Sequence, residues 1–365
     1  MGTMEPFREE MLNEEIRRAK RVYLYGAGII AYGVREALRE SYGIHITAHI
    51  VTRRAPGETS FVGVPVREVT ELPTQLPEAL ILVATPPIYH ADIAASLRQA
   101  TDARAVFLDE RMQFDLRRPH TKDVLGLQLI DDIPQPASVP ERSLAVYMAR
   151  SSHDRALQRS YTLPSYIHPV QAGTALDTTR LAGILHDDKG ENISTRNRDY
   201  SETTVTYWAW KHGREDYLGI CHYRRRLDLR PEDLAAFLAS DADALLPLPY
   251  LCAGDASFQY RRYVSDEDLA LLRSCMTDEE RAAFDTAMAL PYLYNHNIVL
   301  AKRAVFEDYA ARMFAILQRV DEKEAPKGWR NDRHMGYFAE LLTSAYFTNR
   351  AKKLQIVHVP EVWMV

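Results

Sequence analysis

Residues 216–227, DYLGICHYRRRL, pass from an apolar run into side chains suited to hold an anion. Leu218, Gly219, Ile220 and Cys221 read as a buried strand that ends at His222, Tyr223, Arg224, Arg225 and Arg226. In open α/β sheets the ligand crevice lies beyond the carboxyl ends of the strands, so these five residues are expected at its mouth. Guanidinium groups grip two oxygens of a diphosphate at once. That makes Arg224 and Arg225 the expected diphosphate contacts, with Tyr223 beside them. His222 is expected either to donate a hydrogen bond or to ligate a metal. The bland alternative is a solvated charge run that opens a loop.

Other groups of the right chemistry flank this block. Residues 185–212, LHDDKGENISTRNRDYSETTVTYWAWKH, lead from a polar loop into an aromatic helix. Asp187, Asp188 and Asn192 suit ribose hydroxyls or a metal, and equally an ordinary Asx turn. Ser201 and Glu202 suit a first helical turn, where side-chain oxygens and negative charge meet free amides. Trp208 and Trp210 read as core. The literal DxD, Asp241 and Asp243, precedes the strand ALLPLP instead of following one, and reads as a cap. For a general base the candidates are Glu340, Asp332, His334 and Asp188.

The blocks HDDKGENIS, ETTVTYWAWKH and HYRRRL are followed in order by DADALLPLPY, YLYNHNIVLAKRAVF and HMGYFAELLTSAYF. This series resembles the DUF4422 family of bacterial capsule and surface-polysaccharide proteins, which is grouped with glycosyltransferases. The resemblance spans about 144–365 and implies a GT-A-like α/β domain. It implies a hexosyltransferase, inverting, that moves a sugar from a nucleoside-diphosphate donor to a growing capsule or O-antigen chain, a furanose such as galactofuranose being one candidate. It implies donor contacts at Arg224, Arg225, Tyr223, Asp187, Asn192 and Glu202, acceptor contacts at Asn295, His296 and Asn297, and catalytic roles for Glu340, Asp188 and His222. Mn2+ or Mg2+ is the metal where one is used. Two departures from the pattern stand out: Arg226 and Leu227 replace aromatic residues, and Leu341 replaces an arginine.

Composition bounds these readings. A chain of 365 residues suggests two domains. A net charge of -5 leaves no basic field for nucleic acid, so any phosphate bound by the local arginines is small. Cys221, Cys252 and Cys275 have neither CxxC spacing nor an even count, which argues against a disulfide framework or a zinc site. No apolar stretch approaches the roughly 20 residues of a membrane span. A cytoplasmic protein is expected, meeting a lipid-linked acceptor at the inner face of the membrane, with a homo-oligomer left open.

Ahead of this region, RVYLYGAGIIAYGVREALRES opens a strand–turn–helix unit in which Gly26, Gly28 and Ala31 form GxGxxA. Later strands in HITAHIVT, FVGVPV, ALILVAT and AVFLDE complete a Rossmann-like parallel sheet. The unit is similar to the N-terminal domain of PglD-type sugar acyltransferases. Arg53 and Arg54 stand where a dinucleotide site wants an acid, so either NADP or no dinucleotide is expected. No redox cofactor follows from the leading reading; an NADP-dependent enzyme acting on sugar nucleotides, or a silent sugar-nucleotide-binding module, is the alternative. The expected division is an N-terminal domain at 1–117, a proline-rich linker at 118–143 and a C-terminal domain at 144–365.

Overall fold

The computed structural model describes residues 5–157, 161–261, 263–325, 328, 330 and 332–364. It falls into two compact units: the first runs to Leu127 and takes in 250–253, and the second comprises 128–249 and 254–364. No helix among the described residues is long and apolar enough to cross a membrane.

The first unit is built on a six-stranded sheet in the order Ser60–Phe61, Val64–Glu68, Ala48–Val51, Arg21–Tyr25, Ala79–Val83, Arg104–Phe107. All pairings are parallel except the hairpin of the first two strands. Parallel strands covered on both faces need apolar residues throughout, which is what ALILV supplies. Val22, Leu24, Leu80 and Leu82 pack on one face with helix Ile29–Tyr42. Tyr23, Tyr25, Ile81 and Val83 pack on the other with helix His90–Ala100.

At the end of the central strand Gly26 adopts φ 117°, and a Cβ there would lie 3.0 Å from the Ala84 carbonyl. Gly28 precedes helix Ile29–Tyr42 without a side-chain cap, and Ala31 is buried. Gly26 is thus required for the tight turn out of the strand. Arg54 is already engaged, donating to Glu71 at 2.6 Å and to the Val66 carbonyl at 3.1 Å.

The second unit holds a sheet in the order Leu185–His186, Ile167–Gln171, Leu144–Arg150, Tyr217–His222, Val299–Lys302, Ala244–Pro247, Ile356–Val359, Gln128–Leu129. Val299–Lys302 runs antiparallel to both of its neighbours. It cannot begin as early as Asn297, whose φ of 50° is not extended. Gly219 lets this strand approach: a Cβ there would meet the Val299 carbonyl at 2.8 Å. Segment 118–143 is not a plain linker. Pro119 ends helix Glu110–Pro119, His120–Val124 continues as a helical turn, and Gln128–Leu129 pairs with Ile356–Val359. Leu129 and Ile130 are the reason, since both bury against the core.

Candidate functional site

The strands Leu144–Arg150, Ile167–Gln171 and Tyr217–His222 are parallel, and their carboxyl ends open on one cleft of about 750 Å3. Arg150 comes from the first strand end, Ala172 follows the second, and His222, Tyr223, Arg224 and Arg225 come from the third. The run HYRR forms a tight hairpin: His222 pairs with Arg225 across the turn Tyr223–Arg224. Arg225–Leu227 then pairs with Glu361–Trp363, and the Arg224 carbonyl accepts from Met364 N at 2.7 Å. The hairpin is thus pinned on both sides. Its three arginines are half-buried.

Arginine dominates the lining. Arg150 is tied to Asp154 at 2.9 Å and lies over the Tyr223 ring. Arg155, Arg198, Arg224, Arg225 and Arg333 also face the cleft, and among the described residues none of these five has an acidic partner within ion-pair distance. Arg224 stacks on Tyr223 and Arg225 on Trp363. The buried Nε of Arg225 has no hydrogen-bond partner among the described residues. Five guanidinium groups without an acid partner among the described residues make the lining strongly cationic. The cations come from four separate segments, 150–155, 198, 224–225 and 333, and only Arg224 and Arg225 are adjacent in sequence.

Glu202 enters the same cleft. It stands at the start of helix Thr203–His212, yet its side chain does not cap that helix. Its Oε1 instead accepts from Asn297 Nδ2 at 3.2 Å. Burial works to raise this carboxyl, but His222 and hydrogen bonds from Ser201 and Asn297 prevail and hold it below the usual range. Burial pushes the His222 imidazole down, Arg225 and His296 add to this, and Glu202 opposes it. Burial dominates at His222 and leaves a poorly basic imidazole, while the bonds from Ser201 and Asn297 favour the Glu202 carboxylate whatever the histidine's charge. His222 Nε2 donates to the His296 carbonyl, which fixes its tautomer.

Behind Glu202 lies a polar chain. Asn297 Oδ1 accepts from the Thr343 hydroxyl at 2.9 Å, and Tyr309 Oη lies 2.7 Å from Thr343 Oγ1. His296 Nδ1 meets Glu361 Oε1 at 3.0 Å, and Asn295 Nδ2 lies 3.2 Å from His296 Nε2. Glu340, two turns into helix His334–Arg350, accepts from Tyr260 Oη at 2.7 Å. Burial raises the Glu340 carboxyl; Glu202 adds to this, while His296, Tyr260 and Arg225 oppose it. Two carboxyls in one neighbourhood are thus driven apart, as acid–base sites require. Backbone strain gathers here too: Ser201, His296, Asn297 and Arg333 all have φ between 50° and 69°. Such strain persists only where surrounding contacts over-determine it.

Other expected site residues lie elsewhere. Asp187 is fully buried, and its two oxygens accept from Gly173 N, Thr174 N, Ser194 Oγ and Thr204 Oγ1 at 2.6–3.0 Å. It braces the loop and does not line the cleft. Asp188 pairs with Arg180, and Asn192 accepts from Ser194 N at 3.1 Å as an Asx turn. Asp332 and His334 bond to each other, and His334 Nε2 meets Glu324 at 2.7 Å. Asp243 is held by Lys302 at 2.9 Å. Among the described residues no three His, Cys, Asp or Glu side chains are grouped as a metal site would group them. Arg150, Arg155, Arg198, Arg333, Tyr260 and Glu361 escaped the sequence reading because nothing local distinguishes them from ordinary surface or core residues of their types.

Residues 152–352 match the family described as "Domain of unknown function (DUF4422)". The apo structure of the bifunctional glycosyltransferase WbbM is similar at a TM-score of 0.52 and 22% identity, over 61% of this chain and 45% of WbbM. The chain thus spans less than half the length of that protein, and the likeness shows a GT-A-like α/β fold. Apo mouse xyloside xylosyltransferase 1 aligns over 93% of this chain and 84% of its own, but at 8% identity and a TM-score of 0.21, too distant to bear on the fold. No curated protein matches. With more than half of its length inside that match, the chain belongs to the DUF4422 family.

Proposed function

We propose that the second unit transfers a sugar from a nucleoside-diphosphate donor to a hydroxyl of a glycan acceptor. The observation that carries this is the convergence of five acid-free arginines on a cleft that also contains the carboxylate of Glu202. Arg224 and Arg225 hold the diphosphate and neutralise the charge it gains on leaving. Glu202 stabilises positive charge at the anomeric carbon, with Asn297 fixing its position. Glu340, made more basic by burial, takes the proton from the acceptor hydroxyl. The acceptor oxygen bonds to the anomeric carbon as the bond to the diphosphate oxygen breaks, and its electron pair leaves with the nucleoside diphosphate. A single base of this kind suits one displacement with inversion.

His222 keeps the His296 carbonyl and the acceptor-side residues Asn295 and Asn297 in register with the donor cleft. The resemblance of the HYRR and ETTVTYWAWKH blocks supports a hexose donor and a surface polysaccharide such as capsule or O-antigen as acceptor. No step here needs a metal, although Mn2+ or Mg2+ carried in with the diphosphate would add to the arginines' charge compensation. The test is calorimetric titration of the whole chain with UDP, GDP and CDP, with and without Mn2+, followed by turnover of the matching nucleotide sugars. One diphosphate should bind, and Arg224→Ala with Arg225→Ala should abolish it. If none binds, or the double variant binds equally well, the assignment fails.

A further inference from the structure

Tyr263 is 59% exposed and stacks on Tyr337, with ring centroids 5.6 Å apart and planes inclined at 23°. A single exposed tyrosine needs no explanation, but this pair is coupled to the proposed base. Three residues before Tyr263, the buried Tyr260 donates its hydroxyl to Glu340. Three residues before Glu340, on the same side of helix His334–Arg350, stands Tyr337. The two segments therefore meet twice, once through a hydrogen bond at depth and once through a ring stack at the surface. Burial raises the Tyr337 hydroxyl first, then Glu340, with Arg333 opposing, so Tyr337 lies within the field of both the base and an arginine of the cleft. The two tryptophans that could otherwise bind sugar are committed: Trp208 Nε1 donates to the Lys189 carbonyl at 3.0 Å, and Trp210 stacks flat on Phe314.

We infer that Tyr263 and Tyr337 form an acceptor subsite that packs against the apolar face of a pyranose ring and turns one of its hydroxyls toward Glu340. A hexopyranose presents C–H groups on one face and hydroxyls around its edge. Stacked tyrosines match that division, with rigid apolar faces and phenolic groups at the rim. An acceptor at a growing chain end must enter from solvent and leave after each addition. An exposed wall beside a buried base allows this, whereas an enclosed pocket would not. The inference rests on the glycosyl-transfer reading, since it gives Glu340 its hydroxyl.

Saturation-transfer NMR of the intact chain with methyl glucoside, galactoside and mannoside at millimolar concentration tests it, alongside calorimetry with UDP, GDP and CDP. At least one glycoside should bind through its ring protons. Tyr263→Ala, which removes an exposed ring and leaves no core cavity, should weaken it about tenfold, the factor given by about 1.4 kcal/mol. Tyr337→Phe should retain most of the binding, and diphosphate affinity should be unchanged in both variants. No transfer to any glycoside, or equal transfer in Tyr263→Ala, overturns the subsite. So does loss of a self-association of the chain in Tyr263→Ala, which would make the pair a protein contact. Glycoside binding without any diphosphate binding would sink the transfer reading and keep the sugar subsite.

Discussion

Asn297 donates to Glu202 Oε1 at 3.2 Å while its own backbone is held at φ 50°. A strained position that links a cleft carboxylate to the buried Thr343 hydroxyl is a positioning device. Asn297→Asp should set a second negative charge against Glu202 and lower turnover about 100-fold, in the range seen when one charge-stabilising donor is lost. Thr343→Val should lower it less, while leaving an unpaired acceptor that costs about 1–3 kcal/mol of stability. Steady-state kinetics and denaturant melts of the two variants check both statements.

The arginines of the hairpin should differ in how they tolerate lysine. Arg225 has a buried Nε and stacks on Trp363, so Arg225→Lys loses geometry that charge alone cannot replace. It should weaken diphosphate binding about tenfold or more, as charged hydrogen bonds worth about 1.5–3 kcal/mol imply. Isothermal titration at two salt concentrations measures this, and a lysine variant with wild-type affinity would remove Arg225 from the donor site.

The acid limb of the pH–rate profile should report Glu340. Burial raises its carboxyl, so activity falls as pH drops through a value above the ordinary glutamate range. The Tyr260 hydroxyl bond favours the ionised form; Tyr260→Phe removes it and should move the limb to higher pH. Stability shifts in the opposite sense. A raised folded value is stabilising below the unfolded one and is lost as pH rises through the folded one.

Asp187 and Asp188 are neighbours with different fates. Asp187→Ala strands four buried donors and should abolish stable folding, each donor costing about 1–3 kcal/mol. Asp188→Ala removes a pair whose arginine is half exposed, worth less than about 1 kcal/mol. Its melting temperature should barely change. Retention of turnover in Asp188→Ala would confirm that the base lies elsewhere.

His358 offers a second pH test, independent of activity. Burial lowers its imidazole to about 4, with only the Gln128 carbonyl opposing. The folded state therefore binds fewer protons than the unfolded state between about 4 and the ordinary value near 6.5. Stability present at neutral pH should fall by about 3 kcal/mol as pH drops through that window. Urea melts at pH 7 and pH 4, compared with His358→Gln, isolate this contribution.

By itself the sequence marked the central apolar strands, the family and the cationic run after YLGIC. Runs such as ALILV and YLGIC are apolar enough to be buried wherever they fall, and a glycine turn after VYLY or a polar block after YLGIC marks a strand end locally. It also placed Glu340 two turns into its helix. Tertiary structure alone decided which acids line the cleft. Asp187, Asp188 and Glu202 look alike in a polar stretch, yet one is saturated by donors from Gly173, Thr174, Ser194 and Thr204, one pairs with Arg180, and one accepts from Asn297, 95 residues away. Hydrogen bonding and desolvation depend on neighbours brought in by the sheet order, and no local pattern encodes them. The same holds for Arg155, Arg198 and Arg333, which become one site only because separate loops end at the same sheet edge.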